Sequence, residues 1–321
     1  MVAAQAQDAR GAHGTLAAPV LEASIPTWPA RLGISRPLTE ILVARRCAAL
    51  AFAQHPELVW ERYSLYSDAG WKLNAAGIPW ILEVNAPLCE ERQRYEGLKG
   101  WRVAHARAWE RDVLRAAPHI IAVSRWLCDW LKHEIGCTGT IRHMPNGVEG
   151  GQGDRTGTRN RLGIAETQLV IGFLGTMKPW HGLSRLPAIL DALPEAVALL
   201  VGDGPVGLDH PRVLRVGQVP EVETTHYAAA MDVGLALYGP DAPPWFCPLK
   251  ILAYRAQGTP IVATDTGDCR ELVGDTGTIL PVDAPAEAWA EAIRGWAGRR
   301  CQPMLRGWDQ VVSEVLEGFQ P

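Results

Sequence analysis

Short apolar segments alternate with helical patterns along most of this chain, and this alternation limits the folds open to it. In the first half, the predicted strands cover residues 58–60, 80–84, 119–123 and 140–144. In the second half, they cover residues 169–174, 196–201, 213–216, 233–236 and 261–263. A helix between successive strands is typical of a parallel sheet with helices packed on its faces. The sequence therefore predicts an α/β protein with doubly wound sheets.

A polar, glycine-rich segment separates the two series of strands. Residues 150–161 read Gly-Gly-Gln-Gly-Asp-Arg-Thr-Gly-Thr-Arg-Asn-Arg, a composition typical of a linker. With 321 residues, the chain is long enough for two domains. The predicted parts are a loosely ordered arm (1–35), a first Rossmann-like domain (36–149), a linker (150–165), a second such domain (166–302) and a final helix (303–321) with one apolar stripe.

The charge and the cysteines exclude several classes of protein. The net charge of −4 gives no reason to expect a nucleic acid as the main partner. No apolar run reaches the ~20 residues of a membrane-spanning helix, and the first ten residues lack the basic start and apolar core of a secretory signal. Seven scattered cysteines form neither a Cys-x-x-Cys pair nor a cluster with histidines. We therefore expect reduced thiols, a cytoplasmic location and no metal site.

Residues 247–267 carry the strongest signal for function. Pro248 fits the first turn of a helix, where its missing N–H has no cost, and Gly258 fits the left-handed residue that ends the helix. A short apolar strand follows at residues 260–263. The N-terminus of a helix at a sheet edge suits a phosphate, because free N–H groups and the positive end of the helix dipole lie there. Lys250 stands in that first turn, which is favourable if an anion lies between the lysine and the helix.

Five further motifs occur in order along the chain: Ile121-Ala-Val-Ser124, Pro145-Asn-Gly-Val148, Gly175-Thr-Met-Lys-Pro-Trp-His-Gly182, Leu200-Val-Gly-Asp-Gly-Pro205 and Gly217-Gln-Val219. Together with residues 247–267 they resemble the signatures of the retaining glycosyltransferases of family 4, which have the GT-B fold. The resemblance covers about residues 55–320. It implies two Rossmann-like domains that face a cleft, with the C-terminal helix crossing back to the first domain. It also implies transfer of a sugar from a nucleoside diphosphate sugar with retention of configuration, without a cofactor or a metal ion.

The front of the chain departs from the family. Family members begin with a strand and a Gly-Gly loop, and neither is found in this sequence. By comparison with an ordinary domain size, the resemblance implies a first domain that is shortened by ~60–80 residues.

The resemblance also assigns the donor site. Lys178 and Lys250 are the candidates for contact with the diphosphate, because the positions of the family's usual Arg and Lys hold Thr176 and His181. Ala253 replaces an acid that holds the ribose, and its loss is expected to cost about 1.5–3 kcal/mol of binding. Trp245 replaces an acid that faces the sugar, and the Trp245 ring either stacks on the sugar or plugs the pocket. The complete donor set is Gly175, Thr176, Lys178, His181, Gly217, Val219, Trp245, Pro248, Leu249, Lys250 and Ala253.

Three polar residues of the first domain are candidates for the acceptor side. Asn85, Glu90 and Glu91 follow a predicted strand, in a Glu-Val-Asn-Ala-Pro-Leu segment that resembles one subgroup of the family. Asn85 is the candidate for a catalytic role, at a position where many family members carry a histidine. The alternative for Glu90 and Glu91 is that they cap the next helix. The acceptor, whether a glycan, a lipid or a small molecule, is not identified by these residues.

A basic run extends over residues 92–115. It contains seven Lys or Arg residues, three acidic residues and the tryptophans Trp101 and Trp109. A basic amphipathic helix can lie on an anionic membrane, although such a run is more often a solvated helix face. The sequence leaves both peripheral membrane contact and a solvated face open.

Two other functions compete with glycosyl transfer. A catalytically weak or inactive homologue, acting as a partner or regulatory subunit, would explain Trp245, Ala253 and the missing front, whereas the retained lysines argue against it. A GT-B sugar-nucleotide epimerase is disfavoured by the Pro-Asn-Gly-Val and Cys-Pro-Leu-Lys motifs. We expect weak or absent activity from the chain as it stands, because three groups that fix the donor are lost.

Overall fold

The computed structural model describes residues 2–4, 21–23 and 36–319. Residue contacts divide the chain into two compact units, Met1–Met144 and Pro145–Gln320. The arm predicted over residues 1–35 lies mostly outside the described residues. Within it, strands β1 (Val2–Ala4) and β2 (Leu21–Ala23) pair in parallel.

The first unit is built on a four-stranded parallel sheet in the order β3-β4-β5-β6. Its strands are β3 (Val59–Arg62), β4 (Trp80–Val84), β5 (His119–Ala122) and β6 (Thr140–His143). Four of the five residues of β4 are buried, as expected for a strand that is covered on both faces. The helices are α1 (Arg36–Phe52), α2 (Ala69–Ala75), α3 (Leu88–Tyr95), α4 (Trp101–Ala116) and α5 (Arg125–Asp129), which continues as a π-helical turn (Trp130–Ile135).

The Ala-Val-Ser segment after β5 is explained by the helix that follows it. The hydroxyl oxygen of Ser124 accepts a hydrogen bond of 3.3 Å from the backbone N–H of Leu127, which caps the N-terminus of α5. Gly136, at φ 75°, ends the π-helical turn in the left-handed conformation that favours glycine. Both ends of this helical segment are therefore fixed by local sequence.

The second unit is built on a six-stranded parallel sheet in the order β12-β11-β10-β7-β8-β9. Its strands are β7 (Leu169–Leu174), β8 (Ala196–Val201), β9 (Val213–Gly217), β10 (Val233–Ala236), β11 (Ile261–Thr264) and β12 (Gly277–Leu280). The chain extends the sheet from β7 to β9 in one direction and then returns to the other side of β7 with β10. This reversal is a topological switch point, where ligands of doubly wound proteins bind beyond the carboxyl ends of the strands.

Helices connect the strands of the second unit and complete its core. The α-helices are α6 (Arg155–Arg161), α7 (Leu186–Asp191), α8 (Thr224–Ala230), α9 (Leu249–Ala256), α10 (Cys269–Val273), α11 (Ala286–Trp296) and α12 (Trp308–Glu317). Leu186, Ile189, Trp289 and Ile293 of α7 and α11 are fully buried in one apolar cluster with β7, β8, β10 and β11. This burial gives the sheet a rigid base from which its loops extend.

The segment predicted as a linker over residues 150–165 contains the short helix α6, which belongs to the second unit. Arg159 of this helix is fully buried, and its guanidinium donates to a carboxylate oxygen of Asp232 at 2.7 Å. Arg155 donates to the other oxygen of the same carboxylate at 2.6 Å. The guanidinium of Arg159 also donates to the backbone carbonyl oxygens of Ala165, Glu166 and Gln168. Arg155 and Arg159 belong to the polar composition that is typical of a linker, and the same two side chains attach the segment to the second unit.

The final helix is shorter than predicted, and its apolar residues lie on two faces. Val311 and Val315 are buried, whereas Trp308, Val312 and Leu316 are exposed. The preceding segment is tied to the second unit, since the N–H of Met304 donates to the carbonyl of Arg255 and the N–H of Val148 donates to the carbonyl of Arg306. The crossing of this helix to the first unit stays a prediction.

None of the helices in the described part of the chain combines the length and the apolar character that a bilayer crossing needs.

Candidate functional site

The loop after β7 lies at the switch point of the second unit and is hydrogen-bonded to the end of β8 and the loop that follows it. The N–H of Gly175 donates to the carbonyl of Val201, and the N–H of Met177 donates to the carbonyl of Asp203, both at 2.9 Å. Gly204 lies against the same loop, since a β-carbon at Gly204 would be 2.6 Å from the backbone nitrogen of Met177. These contacts with the end of β8 and its loop fix the backbone of the predicted phosphate loop.

Lys250 meets this loop from the other side of the switch point. Pro248 precedes helix α9 as its N-cap, and Lys250 is the second residue of the helix. The Lys250 side chain is 8% exposed, and a β-carbon at Gly175 would lie 3.9 Å from the Cε atom of Lys250. The structure therefore brings together Gly175, Lys250 and the start of α9, as the sequence predicts.

The ammonium group of Lys250 has an aromatic environment. Its Nζ donates to the hydroxyl of Tyr238 at 3.0 Å and lies 4.6 Å from the centre of the Tyr238 ring and 4.9 Å from that of Phe173. Burial lowers the pKa of Lys250 to about 7. The lysine therefore titrates near neutral pH instead of carrying a permanent charge.

The other two candidate cations differ from Lys250. Lys178 is exposed, with its Nζ 6.0 Å from the centre of the Trp180 ring. His181 is buried, and desolvation, with a further contribution from the charge of Lys250, lowers its pKa to about 3. Its Nδ1 contacts the backbone carbonyl oxygen of Thr176. His181 is thus neutral near pH 7 and holds the loop, and it adds no positive charge for a diphosphate.

An aromatic group surrounds this corner of the sheet. Trp180 stacks on Tyr238, with ring centres 6.0 Å apart, and Phe246 lies 4.6 Å from Tyr238 and 5.3 Å from Trp180. Trp245 is 3% exposed. The indole of Trp245 is packed inside the protein, which favours the plugging alternative over a face that is open for a sugar. No sequence motif singles out Tyr238 or Phe246, although both flank predicted elements of the site.

The remaining donor candidates lie along the same edge or on α9. Gly217, at φ 84°, ends β9, and its carbonyl accepts a hydrogen bond of 2.7 Å from the N–H of Gly202. Val219 follows it and is half-buried. Leu249 is exposed and Ala253 is half-buried on α9. Thr176 is exposed on the phosphate loop.

The acceptor-side candidates lie in the first unit. The side-chain nitrogen of Asn85 donates to the carboxylate of Glu83 at 2.8 Å, so Asn85 is held against the strand that precedes it. Glu90 and Glu91 are in the first turn of α3, whose N-cap is Pro87. Because proline has no N–H, neither glutamate can close a capping box on this residue. The capping alternative is wrong in that form, although both charges suit the positive end of the helix.

Glu110 was missed in the sequence analysis and lies beneath that same turn. Its carboxylate is buried and accepts hydrogen bonds from the backbone N–H of Cys89 at 3.1 Å and from the Tyr63 hydroxyl at 3.2 Å. Burial raises the pKa of Glu110 to about 7. Helical spacing could have found it, because Glu110 shares a face of α4 with the buried residues Ala106 and Val113.

The basic run does not form one free charged face. Arg92 makes a bidentate ion pair with Glu40, with both contacts at 2.9 Å. Trp101, at the start of α4, is 77% exposed, and Arg102 lies 6.0 Å from the centre of its ring. Membrane contact at this surface stays a prediction.

No three His, Cys, Asp or Glu side chains are grouped as metal ligands within residues 36–319 or the two short described strands. Whether the reaction uses a metal ion stays a prediction.

Two family models match the chain, one for each half. The model described as "Glycosyltransferase Family 4" matches residues 4–150, and the one described as "Glycosyl transferases group 1" matches residues 168–297. The two matches fall on the four-stranded and the six-stranded sheet, and together they contain all of the candidate residues. Residues 247–267 lie inside the second match, as the sequence analysis expects.

Curated relatives share part of the sequence. A D-inositol 3-phosphate glycosyltransferase of Geodermatophilus obscurus is 31% identical over 203 residues, covering 52% of this chain and 43% of the relative. A GDP-mannose-dependent alpha-mannosyltransferase of Mycolicibacterium smegmatis is 28% identical over 165 residues, covering 47% of this chain and 43% of the relative. The chain thus spans less than half the length of these relatives.

Solved structures share the fold at lower identity. Sucrose-phosphate synthase of Thermosynechococcus elongatus has a TM-score of 0.67 at 18% identity, over 93% of this chain and 82% of the other. HepE of Anabaena, solved in complex with UDP, has a TM-score of 0.60 at 19% identity, over 86% of this chain and 76% of the other. Each half of the chain thus matches a glycosyltransferase family model, family 4 for the first half and group 1 for the second, and the chain has the GT-B fold of these solved structures.

Proposed function

We propose that this protein transfers a sugar from a nucleoside diphosphate sugar to an acceptor, with retention of the anomeric configuration. The observation that carries the proposal is the convergence of the Gly175 loop, Lys250 and the first turn of α9 at the switch point of the second sheet. The proposal is supported by HepE, which was solved with UDP and with UDP-glucose, and by the relative named as GDP-mannose-dependent.

In the proposed mechanism, the protein acts mainly on the departing diphosphate. Negative charge grows on the diphosphate as the bond to the sugar breaks, and groups already aimed at that charge lower the barrier. The N-terminus of α9 would supply backbone N–H groups and a positive dipole end. Lys250 would supply a charge beside the loop, and the exposed Lys178 would supply a second charge from solvent. This arrangement needs neither a cofactor nor a metal ion.

The first unit would hold the acceptor. Asn85, Glu90 and Glu91 all follow the carboxyl end of β4, where acceptor hydroxyls can be held by an amide and two carboxylates. Positioning of the acceptor is the second contribution to catalysis, since an oriented pair reacts much faster than two free molecules. The relatives' names suggest a phosphorylated inositol as one acceptor for a first trial.

A second candidate is a binding protein with weak or no transfer activity. The nearly complete burial of Trp245 favours it, because an indole in the sugar's place would leave the nucleotide site without room for the sugar. Ala253 favours it too, because alanine offers no acceptor for the ribose hydroxyls. Under this alternative the protein binds nucleoside diphosphates more tightly than the corresponding sugar nucleotides.

One experiment separates these outcomes. Full-length protein is mixed with UDP-glucose, GDP-mannose, ADP-glucose or dTDP-glucose, with and without D-inositol 3-phosphate, and released nucleoside diphosphate is measured. Binding is followed in parallel by calorimetry, with the nucleoside diphosphates included and Lys250→Met as the matched control. Release that depends on Lys250 supports the transferase, and binding without release supports the second candidate. No binding of any nucleotide at millimolar concentration would reject both.

A further inference from the structure

The side chain of Lys250 is buried in the protein without a partner of opposite charge. In the part of the chain that the structure describes, its polar contact is the Tyr238 hydroxyl, and it forms no ion pair. An ammonium group in such a site loses its hydration and gains only one hydrogen bond and two aromatic faces. Lys250 therefore loses its proton and becomes a neutral amine much more readily than a surface lysine does.

The titratable neighbours of Lys250 do not compensate its charge. His181, on the turn after the phosphate loop, is neutral because its pKa is lowered to about 3. Cys269, at the start of α10, stays a thiol because burial raises its pKa to about 12. Tyr238 and Tyr254, on the strand end and on α9 itself, stay protonated because burial raises the pKa of both. The exposed Lys178 adds a like charge on the loop.

A diphosphate at the Gly175 loop would change this balance, because it would place negative charge beside the amine. From this geometry we propose that Tyr238 positions the Lys250 amine, and that a diphosphate bound at the Gly175 loop draws one proton from solvent onto that amine. This inference rests on the proposed nucleotide site. The proton balance is simple, since one buffer proton adds to the amine and no other bond changes. Tyr238 is thus a positioning residue that acts through Lys250.

The role of Tyr238 follows from its place in the fold. It stands two residues after β10, on the far side of the switch point from Gly175, and its ring packs against both Trp180 and Phe246. The packed ring fixes the hydroxyl oxygen, and the oxygen fixes the position of Nζ at 3.0 Å. Without the hydroxyl, the charged form of Lys250 would lose its hydrogen bond, and protonation of the amine would become less favourable.

The test is calorimetric titration of UDP-glucose and GDP-mannose into the full-length protein at pH 6 to 9. Sugar nucleotides are suitable probes because their diphosphate carries no terminal phosphate, whose pKa near ~6 would add its own protons. At pH 8, the heat is measured in buffers of different ionisation enthalpy, which gives the number of protons taken up. We expect nearly one proton, and a Kd that rises about fivefold from pH 7 to pH 8.

Three variants make the result specific. Lys250→Met should bind more weakly and take up no proton. Tyr238→Phe, which keeps the ring, should move the pH at which binding weakens downward by about one unit, because the charged amine loses a hydrogen bond. Tyr254→Phe is the matched control, since it removes an equally buried hydroxyl that bonds to Leu174 and Gly172 and not to Lys250. It should lower the melting temperature and leave the pH profile unchanged.

The outcomes are distinguishable. Binding without proton uptake, or proton uptake that persists in Lys250→Met, would overturn this inference while leaving the proposed function intact. A pH profile of Tyr238→Phe that matches wild type would overturn the role of Tyr238. If neither sugar nucleotide binds at any pH, the nucleotide site itself is wrong, and this inference falls with it.

Discussion

Gly202 faces Gly175 so closely that a β-carbon on Gly202 would overlap the carbonyl oxygen of Gly175. Both residues have positive φ angles, 117° and 120°, which favour glycine. The end of β8 therefore supports the phosphate loop through backbone contact alone, and no side chain can be inserted between the two loops without moving one of them.

The first prediction tests this contact. Gly202→Ala should displace the loop, weaken nucleotide binding at least tenfold and lower the free energy of unfolding by about 1–3 kcal/mol. Gly207→Ala is the control, because a β-carbon there would meet nothing within 4 Å. Calorimetry and denaturant unfolding of both variants give the answer. Equal behaviour of the two variants would show that the loop tolerates displacement.

The second prediction concerns the exposed lysine of the same loop. Lys178→Ala should weaken nucleotide binding by less than about fivefold, because solvent screens a charge on an exposed side chain. The difference from wild type should shrink as salt is raised to 0.5 M, since the Debye length falls. Lys99→Ala, in the first unit, should change nothing. Titrations at several salt concentrations test the idea, and a salt-independent loss would assign Lys178 a structural role.

The third prediction restores a missing acid. Ala253→Glu should raise nucleotide affinity about tenfold, because one added hydrogen bond to a charged group is worth about 1.5 kcal/mol or more. The carboxylate would lie in the second turn of α9, near the helix N-terminus, where the dipole tolerates it. Ala253→Gln, of the same size without the charge, should gain less. If neither variant gains affinity, residue 253 does not face the ribose.

The fourth prediction concerns the buried carboxyl group of Glu110. Its pKa is raised from an ordinary value of 4.5 to about 7, so the folded state favours the protonated form. This preference stabilises the folded state fully at pH below 4.5. The contribution to the free energy of unfolding, roughly 3 kcal/mol in total, is lost as pH rises through 7. Glu110→Gln should remove this fall and keep the acceptor for Cys89. Urea unfolding of wild type and Glu110→Gln at pH 5 and pH 8 measures this fall in stability, and Glu90→Gln, at an exposed position, is the control.

The fifth prediction uses the two faces of the final helix. Val315→Ala should lower the free energy of unfolding by about 2 kcal/mol, because a buried valine loses two methyl groups and leaves a cavity. Val312→Ala, on the exposed face, should change it by less than about 0.5 kcal/mol. Thermal and urea unfolding of the pair are sufficient. Similar losses would mean that both faces are covered in solution.

Much of the fold could be predicted from periodicity. The bounds of β4, β7, β8 and β10 agree with the predicted strands, because each is a short apolar run that is buried on both faces. Strand β12 was missed, since all four of its residues are half-buried and its Gly-Thr-Ile-Leu sequence lacks a clear pattern. Helix α6 was missed because its apolar contacts are replaced by arginine contacts with distant residues.

The candidate site was predictable in its positions and not in its chemical states. Gly175, Lys178 and Lys250 could be placed at one sheet edge because parallel strands end at the same side. The state of Lys250 depends on Tyr238 and Phe173, which come from two other parts of the sheet. Likewise, nothing near Trp245 in sequence indicates that its indole is buried. Such properties arise from packing between distant segments, which a local pattern does not contain.

The ion pair between the buried Arg159 and Asp232 sets the smallest piece of the second unit that we expect to fold alone. The family match begins at residue 168, and Arg159 lies in the helix before it. A fragment that started at the match would leave Asp232, whose side chain is 13% exposed, without both arginines that neutralise it, and removing the partners of a largely buried charge costs up to about 3–5 kcal/mol. The limits of a recognisable sequence and the limits of a stable fragment therefore differ here by one helix, and a fragment made for binding studies has to begin before Asp154.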